Sequence, residues 1–231
     1  MSITSYRIAD YSAPLPASVL RDLAMTETAT VGHYFHDRFM DQALHLIGEP
    51  VRIAGTAVTL SLPNADSTLL YHALDRVRPG DVLVIDRGGD ERHAAWGGFM
   101  AAVAKARQLA AVIIDGAVTD PAAIRAAGVA TWARGVSPIT TKLLNLGGSF
   151  NHPVSCGGVV VNPGDAVLAD DCGIVVMTPD VVESMTRVAL ADQADELTWL
   201  RRIEAGEKLQ DMVDIAAMIA ERQKKDEAAH G

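Results

Sequence analysis

Apolar positions along the chain follow two rhythms, and the change comes near Ser137. Before it, short apolar runs alternate with amphipathic helical stretches. Val51–Leu62, VRIAGTAVTLSL, alternates enough to predict a strand with a bend at Gly55. VLVI predicts a strand continuous enough to be covered on both faces, AAVIID a second buried strand, and VATWARG a third strand. Between them, STLLYHALDRV predicts a helix capped by Asp66 or Ser67, after the break at Pro63. A second helix starts near Trp96–Gly98, with Trp96, Phe99, Met100, Val103 and Ala104 spaced as one buried stripe. The third, AAIRAAG, stops at Gly128.

The N-terminal residues predict an extended lead-in, then a short helix, VLRDLAM, with Ser18 as its cap. A helix through TETATVGHYFHDRFMDQALHLI would turn His33 and His36 to one side, as surface or packed histidines more readily than as a metal site. After Ser137 the helical rhythm gives way to a β-rich half: the strand HPVSCGGVVV, a turn at Asn162–Asp165, and the strands AVLAD and GIVVMT. Pro179-Asp180 opens a long helix, and a last helix over about 207–225 precedes a polar tail. Their stripes (Val182, Met185, Val188, Ala189; Leu209, Met212, Ile215, Met218) have no evident place within the chain, which predicts a subunit interface.

Composition narrows the class. A hydrophobic content of 49% with 5% aromatics fits an α/β protein packed from Ala, Val, Leu and Ile. With no internal repeat and no dividing linker, residues 1–231 read as one domain. A net charge of −9 disfavours nucleic acid and anionic membrane as partners. No apolar run reaches about 18 residues and the N-terminus lacks an apolar signal core, so the expected location is cytoplasmic. Cys156 and Cys172 have neither CxxC spacing nor a histidine cluster and read as two buried reduced thiols.

The chemistry concentrates between Arg92 and Pro121. Gly97-Gly98 at a helix start offers N–H donors and the positive end of the helix dipole, suited to a carboxylate. Asp120 follows a buried strand and suits a hard divalent cation held by one carboxylate and water. Local grounds favour a plainer role, as N-cap before Pro121. Asp86 and Asp115 end apolar strands and would either support a metal's water shell or cap turns. No GxGxxG follows the first strand, and no P-loop or GxSxG elbow is present, so nucleotide binding and serine hydrolysis are rejected.

In order, GTAVTL, RPGDVLVID, AAWGGFMAAVAKA, AAVIIDGAVTDPAAI, WARGVSP and PVSCGGVVVNPGDAVLADDCGIVV resemble the family that joins the regulators of ribonuclease activity to the 4-hydroxy-4-methyl-2-oxoglutarate aldolases. The resemblance covers about residues 50–178. It implies an α/β/β sandwich with a swivelling-domain-like core, flanked here by N- and C-terminal helices. It also implies a homotrimer or dimer of trimers with sites between subunits. Aldolases of this family use Mg²⁺ or Mn²⁺ to stabilise pyruvate enolate released from a small anionic oxo-acid.

By the same resemblance, Asp120 matches the metal ligand, and Gly97, Gly98, Phe99 and Met100 match the carboxylate-binding helix start. Two positions depart from the aldolase pattern: Thr119 stands where the aldolases carry a substrate-binding Arg, and Gly98 where they carry an acid. A threonine cannot supply the cationic fork of arginine. Arg92, His93 and Arg87, in the preceding loop, are the nearest replacements for the missing cation or for proton handling. The expectation is a metal-dependent carbon–carbon lyase of altered specificity. A different enzyme in the same pocket and a non-catalytic protein-binding regulator are the alternatives.

Overall fold

The structure is a computed structural model that describes residues 5–230. It divides into two compact units, Met1–Ala189 and Leu190–Gly231. The first begins with β1 (Tyr6–Ile8), α1 (Ala17–Leu23), α2 (Thr28–Val31) and β2 (His45–Leu46). Helix α1 forms as predicted, but Pro16 and not Ser18 stands at its N-cap. The long helix predicted through His33 and His36 ends at Val31, leaving both histidines exposed in irregular chain. Gly32 and the crowded Phe35–Phe39 stretch follow it, and the chain then crosses to bridge Phe39 with Val175.

The central ladder is parallel: β3 (Ile53–Ser61), β4 (Asp81–Asp86), β5 (Ala111–Val118) and β6 (Ala130–Val136), in that spatial order. The crossovers carry α3 (Thr68–Leu74), α4 (Gly98–Ala106) and α5 (Pro121–Ala127). Period-two alternation sorts each strand between two layers. Leu83, Ile85, Val112 and Ile114 pack under Leu70, Ala104 and Ile124 of the helices. Val82, Val84 and Ile113 face the other way, into a cluster with Val154, Cys156, Val159 and Val161. The latter belong to a hairpin, β8 (Val154–Cys156) and β9 (Val159–Val161), which follows β7 (Gly148–Phe150). HPVSCGGVVV is therefore two strands. Gly157 and Gly158 both take positive φ, 56° and 76°, which a two-residue hairpin turn requires.

The layers thus run helices, mixed sheet, hairpin, in agreement with the expected α/β architecture and with an α/β/β layering. A third cluster joins β10 (Ala166–Ala169) and β11 (Ile174–Met177) to Leu23, Val31, Val182 and Ala189. Val182 and Ala189 lie on α6 (Pro179–Glu204). The second unit holds the distal part of α6, then α7 (Leu209–Met212) and α8 (Ile215–His230). The expected polar tail is helical through His230. None of the described helices is long and apolar enough to cross a membrane.

The loop that leaves β6 is held by a residue that periodicity could not single out. Asp66 is buried, and its Oδ1 accepts from the Thr68 N–H at 2.9 Å and the Leu144 N–H at 2.9 Å. Its Oδ2 accepts from the Leu146 N–H at 2.8 Å. Burial alone would raise the carboxyl, but the Thr68 hydroxyl and these N–H donors outweigh it and hold the group below the usual range. Asp66→Asn is expected to destabilise the fold by about 2–3 kcal/mol at pH 7, read from urea unfolding. A depressed native pKa gives stability that is present above the unfolded carboxyl value of about 4 and is lost as pH falls through the native one. The gap between wild type and variant is therefore expected to narrow from pH 5 downwards.

Candidate active site

The site lies where β4, β5 and β6 end, on the loops that leave a parallel sheet. Asp120 occupies the N-cap position of α5, with Pro121 at the first helical position. Its carbonyl starts the helix, accepting from Ala123 at 2.9 Å and Ile124 at 3.0 Å. Its carboxylate makes no cap bond, because the backbone is left-handed at φ 51° and ψ 50°. That conformation costs a non-glycine residue about 1 kcal/mol, least for Asp and Asn. It swings the side chain away from α5 towards the start of α4. There Oδ2 lies 3.4 Å from the Gly98 N–H, and Oδ1 lies 3.5 Å from the Thr119 hydroxyl. Both contacts are long. The carboxylate is exposed and meets no arginine or lysine among the described residues.

Helix α4 presents the other half. Its first intrahelical bond runs from the Ala101 N–H to the Gly97 carbonyl, so the Gly98, Phe99 and Met100 amides precede the ladder. Two close approaches bring them beside Asp120. A Cβ on Gly97 would stand 2.6 Å from the Thr119 Cγ2 and 3.0 Å from the Asp120 Oδ2. A Cβ on Gly98 would stand 2.5 Å from the Ala123 Cβ of α5. The backbone joins the same parts, since the Thr119 N–H donates to the Trp96 carbonyl at 2.8 Å. Gly97, Gly98, Thr119 and Asp120 are thus brought together as the sequence suggested. Met100 is partly buried and Trp96 fully so. Phe99 is not part of the buried stripe: its ring is 70% exposed, because the inward positions of α4 are Ala101 and Ala104.

The loop residues separate into distinct roles. Arg87 is not a spare cation. Its side chain is fully buried, donating to the carbonyls of Leu62 and Asn64, with the Asp90 carboxylate at 3.3 Å. Burial lowers the Arg87 guanidinium from its ordinary value, against the pull of Asp90. Asp90 in turn accepts from the Arg92 N–H at 2.9 Å and the His93 N–H at 3.1 Å, and meets the His93 Nδ1 at 2.8 Å. Burial works against the Asp90 charge, but these donors hold the carboxyl below the usual range. His93 is therefore an oriented imidazole with its other ring nitrogen unclaimed by Asp90. Arg92 is exposed, and its carbonyl accepts from Ser137 at 2.7 Å. Sequence reading named His93 but missed Asp90; its position three residues ahead in DERH was the available signal.

Asp86 and Asp115 lie elsewhere. They are register partners on β4 and β5 and turn to the hairpin layer. Asp115 pairs with Arg134 and accepts from the Gly157 N–H at 2.8 Å. Arg134 also reaches Asp41 at 3.0 Å. Asp86 accepts from the Gly88 N–H at 2.6 Å, and burial, with Asp115 beside it, pushes its carboxyl up. These acids tie strands to loops and do not extend the Asp120 site. Cys156 is buried, with its thiol pushed up by burial and these acids, whereas Cys172 is exposed, contrary to expectation.

The three described clefts, of about 290, 420 and 280 Å³, are lined by residues around Cys172, Pro50 and Trp132, and none borders Asp120. The site is an open shelf, with the exposed Phe99 on α4 and the exposed Val136 on β6 beside Val118 of β5.

A family model described as RraA-like, Aldolase/RraA, matches residues 22–176. The chain belongs to this family. A relative from Halalkalibacterium halodurans, provisionally named 4-hydroxy-4-methyl-2-oxoglutarate aldolase, is 33% identical over 150 residues, covering 65% of this chain and 71% of the relative. One of the same provisional name from Burkholderia multivorans is 34% identical over 139 residues, covering 60% of this chain and 84% of the relative. Among solved structures, RraAS2 of Streptomyces coelicolor, described as an unusual member of the RNase ES inhibitor RraA family, superposes with a TM-score of 0.73. It is 27% identical, with 81% of this chain and 98% of that chain covered. The family therefore holds both aldolase-named and RNase-inhibitor proteins, on one mixed α/β fold with a central sheet and flanking helices.

The glycine contacts generate a direct test. Gly98→Ala is expected to destabilise the chain by about 1–3 kcal/mol through overpacking against Ala123, read as a lowered melting temperature. Adding Ala123→Gly should recover most of the loss. Gly98→Glu meets the same clash and is expected to need that second change.

Proposed function

We propose that this chain is a divalent-metal-dependent carbon–carbon lyase acting on a small oxo- or hydroxy-carboxylic acid, with specificity altered from that of the aldolases. The observation that carries the reading is the Asp120 carboxylate, turned off its own helix and held, with no ion pair among the described residues, against the Gly98 amide at the start of α4. An exposed carboxylate with only long hydrogen bonds fits Mg²⁺ or Mn²⁺, which are commonly held by one or two carboxylates and several waters. Asp120 would be the protein ligand. A cation there would supply Lewis-acid stabilisation of charge developing on the substrate's oxo oxygen.

The remaining work falls to the chain. The amides of Phe99 and Met100, at the positive end of α4, bind the substrate carboxylate. Thr119 leaves the shelf without a fixed cationic fork, so a substrate that needs a second anionic anchor must find it in Arg92. His93, oriented by Asp90, holds or delivers the proton on the loop side. A neighbouring copy, in a homotrimer or dimer of trimers, closes the shelf against water over Phe99 and Val136. The acidic chain works in the cytoplasm on a free metabolite, with neither nucleic acid nor membrane as partner.

Pyruvate release from oxaloacetate and from 4-hydroxy-4-methyl-2-oxoglutarate is expected with Mg²⁺ or Mn²⁺ and is abolished by EDTA. Outer-shell changes at metal sites already cost about 10–100-fold, so Asp120→Ala is expected to lower the rate by at least about 100-fold with unchanged circular dichroism. Thr119→Arg should raise it. Silence of the folded wild type in every arm would overturn the lyase reading in favour of another reaction on the shelf, or of a binding regulator.

A further inference from the structure

The cleft of about 420 Å³ lies at the end of the sheet opposite Asp120, and its origin is topological. Strand β2 pairs with β6, whereas the next strand, β3, stands on the far side of β4 and β5. Residues 47–52 must therefore cross four strand spacings, about 19 Å, past the starts of the parallel strands. The steps from Leu46 to Ile53 reach at most about 25 Å, so this connector is nearly taut and cannot fold inward. Gly48 adds no side chain, and a Cβ there would meet nothing within 4 Å. A space is left between the connector, the starts of β3 and β6, and the last turn of α5.

The lining describes a ligand. Leu46, Ile47 and Ile53 on the connector side, with Ile124 and Val129 on the α5 side, are apolar, and the volume falls in the range of small-molecule sites. The two charged lining residues are Glu49, on the connector, and Arg125, on α5. Both are exposed, and neither has an ion pair among the described residues. A carboxylate matches the Arg125 guanidinium, an ammonium matches Glu49, and an aliphatic group matches the walls. A fatty acid would set its carboxylate near Glu49, and an aliphatic amine would set its charge near Arg125. An α-amino acid with an aliphatic side chain carries all three features.

We propose that this cleft binds an aliphatic α-amino acid, its carboxylate on Arg125, its ammonium on Glu49 and its side chain against Ile124 and Val129. The site is separate from the Asp120 shelf. Helix α5 is common to the two, with Asp120 at its first end and the cleft at its last turn.

Titration calorimetry of L-leucine into the full chain, in EDTA, tests this whether or not the shelf is a lyase site. One saturable site per chain is expected. Arg125→Gln and Glu49→Gln, both exposed positions, should each weaken it by about 10-fold or more, with unchanged melting temperature. The probe 4-methylpentanoate, which lacks the ammonium, should bind more weakly than leucine and lose nothing further in Glu49→Gln. Absence of saturable leucine binding to the folded wild type overturns the proposal, as does unchanged leucine affinity in either variant.

Discussion

The candidate site depends on one contact, the approach of the α4 start to the β5–α5 turn. Without side chains on Gly97 and Gly98, Thr119 and Asp120 lie directly against the helix, and Ala123 closes the gap behind. That contact decides where the Asp120 carboxylate goes. An N-cap with the usual extended backbone would have spent it on its own amides; the left-handed backbone leaves it for α4. The cost, about 1 kcal/mol, is small beside the packing of the buried sheet that fixes both ends of the turn. The same crowding leaves a side chain at position 98 no room against Ala123.

A second set of interactions supports the shelf from behind. Buried Arg87 fastens the loop after β4 to the carbonyls after β3 and presents Asp90, which orients His93. Asp66 does the same for the loop after β6. Each spends a buried charge on backbone groups that would otherwise lack partners, so hydrogen bonds hold these loops beside the packing of Ala95 and Trp96.

Much of the core was legible because a buried parallel sheet writes itself as apolar runs, and VLVI and AAVIID fell where β4 and β5 lie. Gly128 and Gly164 marked their turns. Local reading failed where long-range contacts decide. The helix through His33 and His36 ends at Val31, where Gly32 is the C-cap and the one local stop signal, and the chain then crosses to β11. HPVSCGGVVV reads as one strand by its apolar run, whereas positive φ at Gly157 and Gly158 folds it into a hairpin. Phe99 read as core because α4 buries alanines, which carry little weight in an apolar pattern. Asp120 was legible in position, but its direction followed from a backbone dihedral that Asp-Pro does not specify.

The central claim is that Asp120, in this turn, is the divalent-metal ligand of the chain. Titration calorimetry of Mn²⁺ into the metal-stripped protein measures it without reference to any substrate. The account predicts one saturable site per chain in the wild type and none in Asp120→Asn, with equal melting temperatures for the two metal-free proteins. Equal Mn²⁺ affinity in wild type and Asp120→Asn would contradict it.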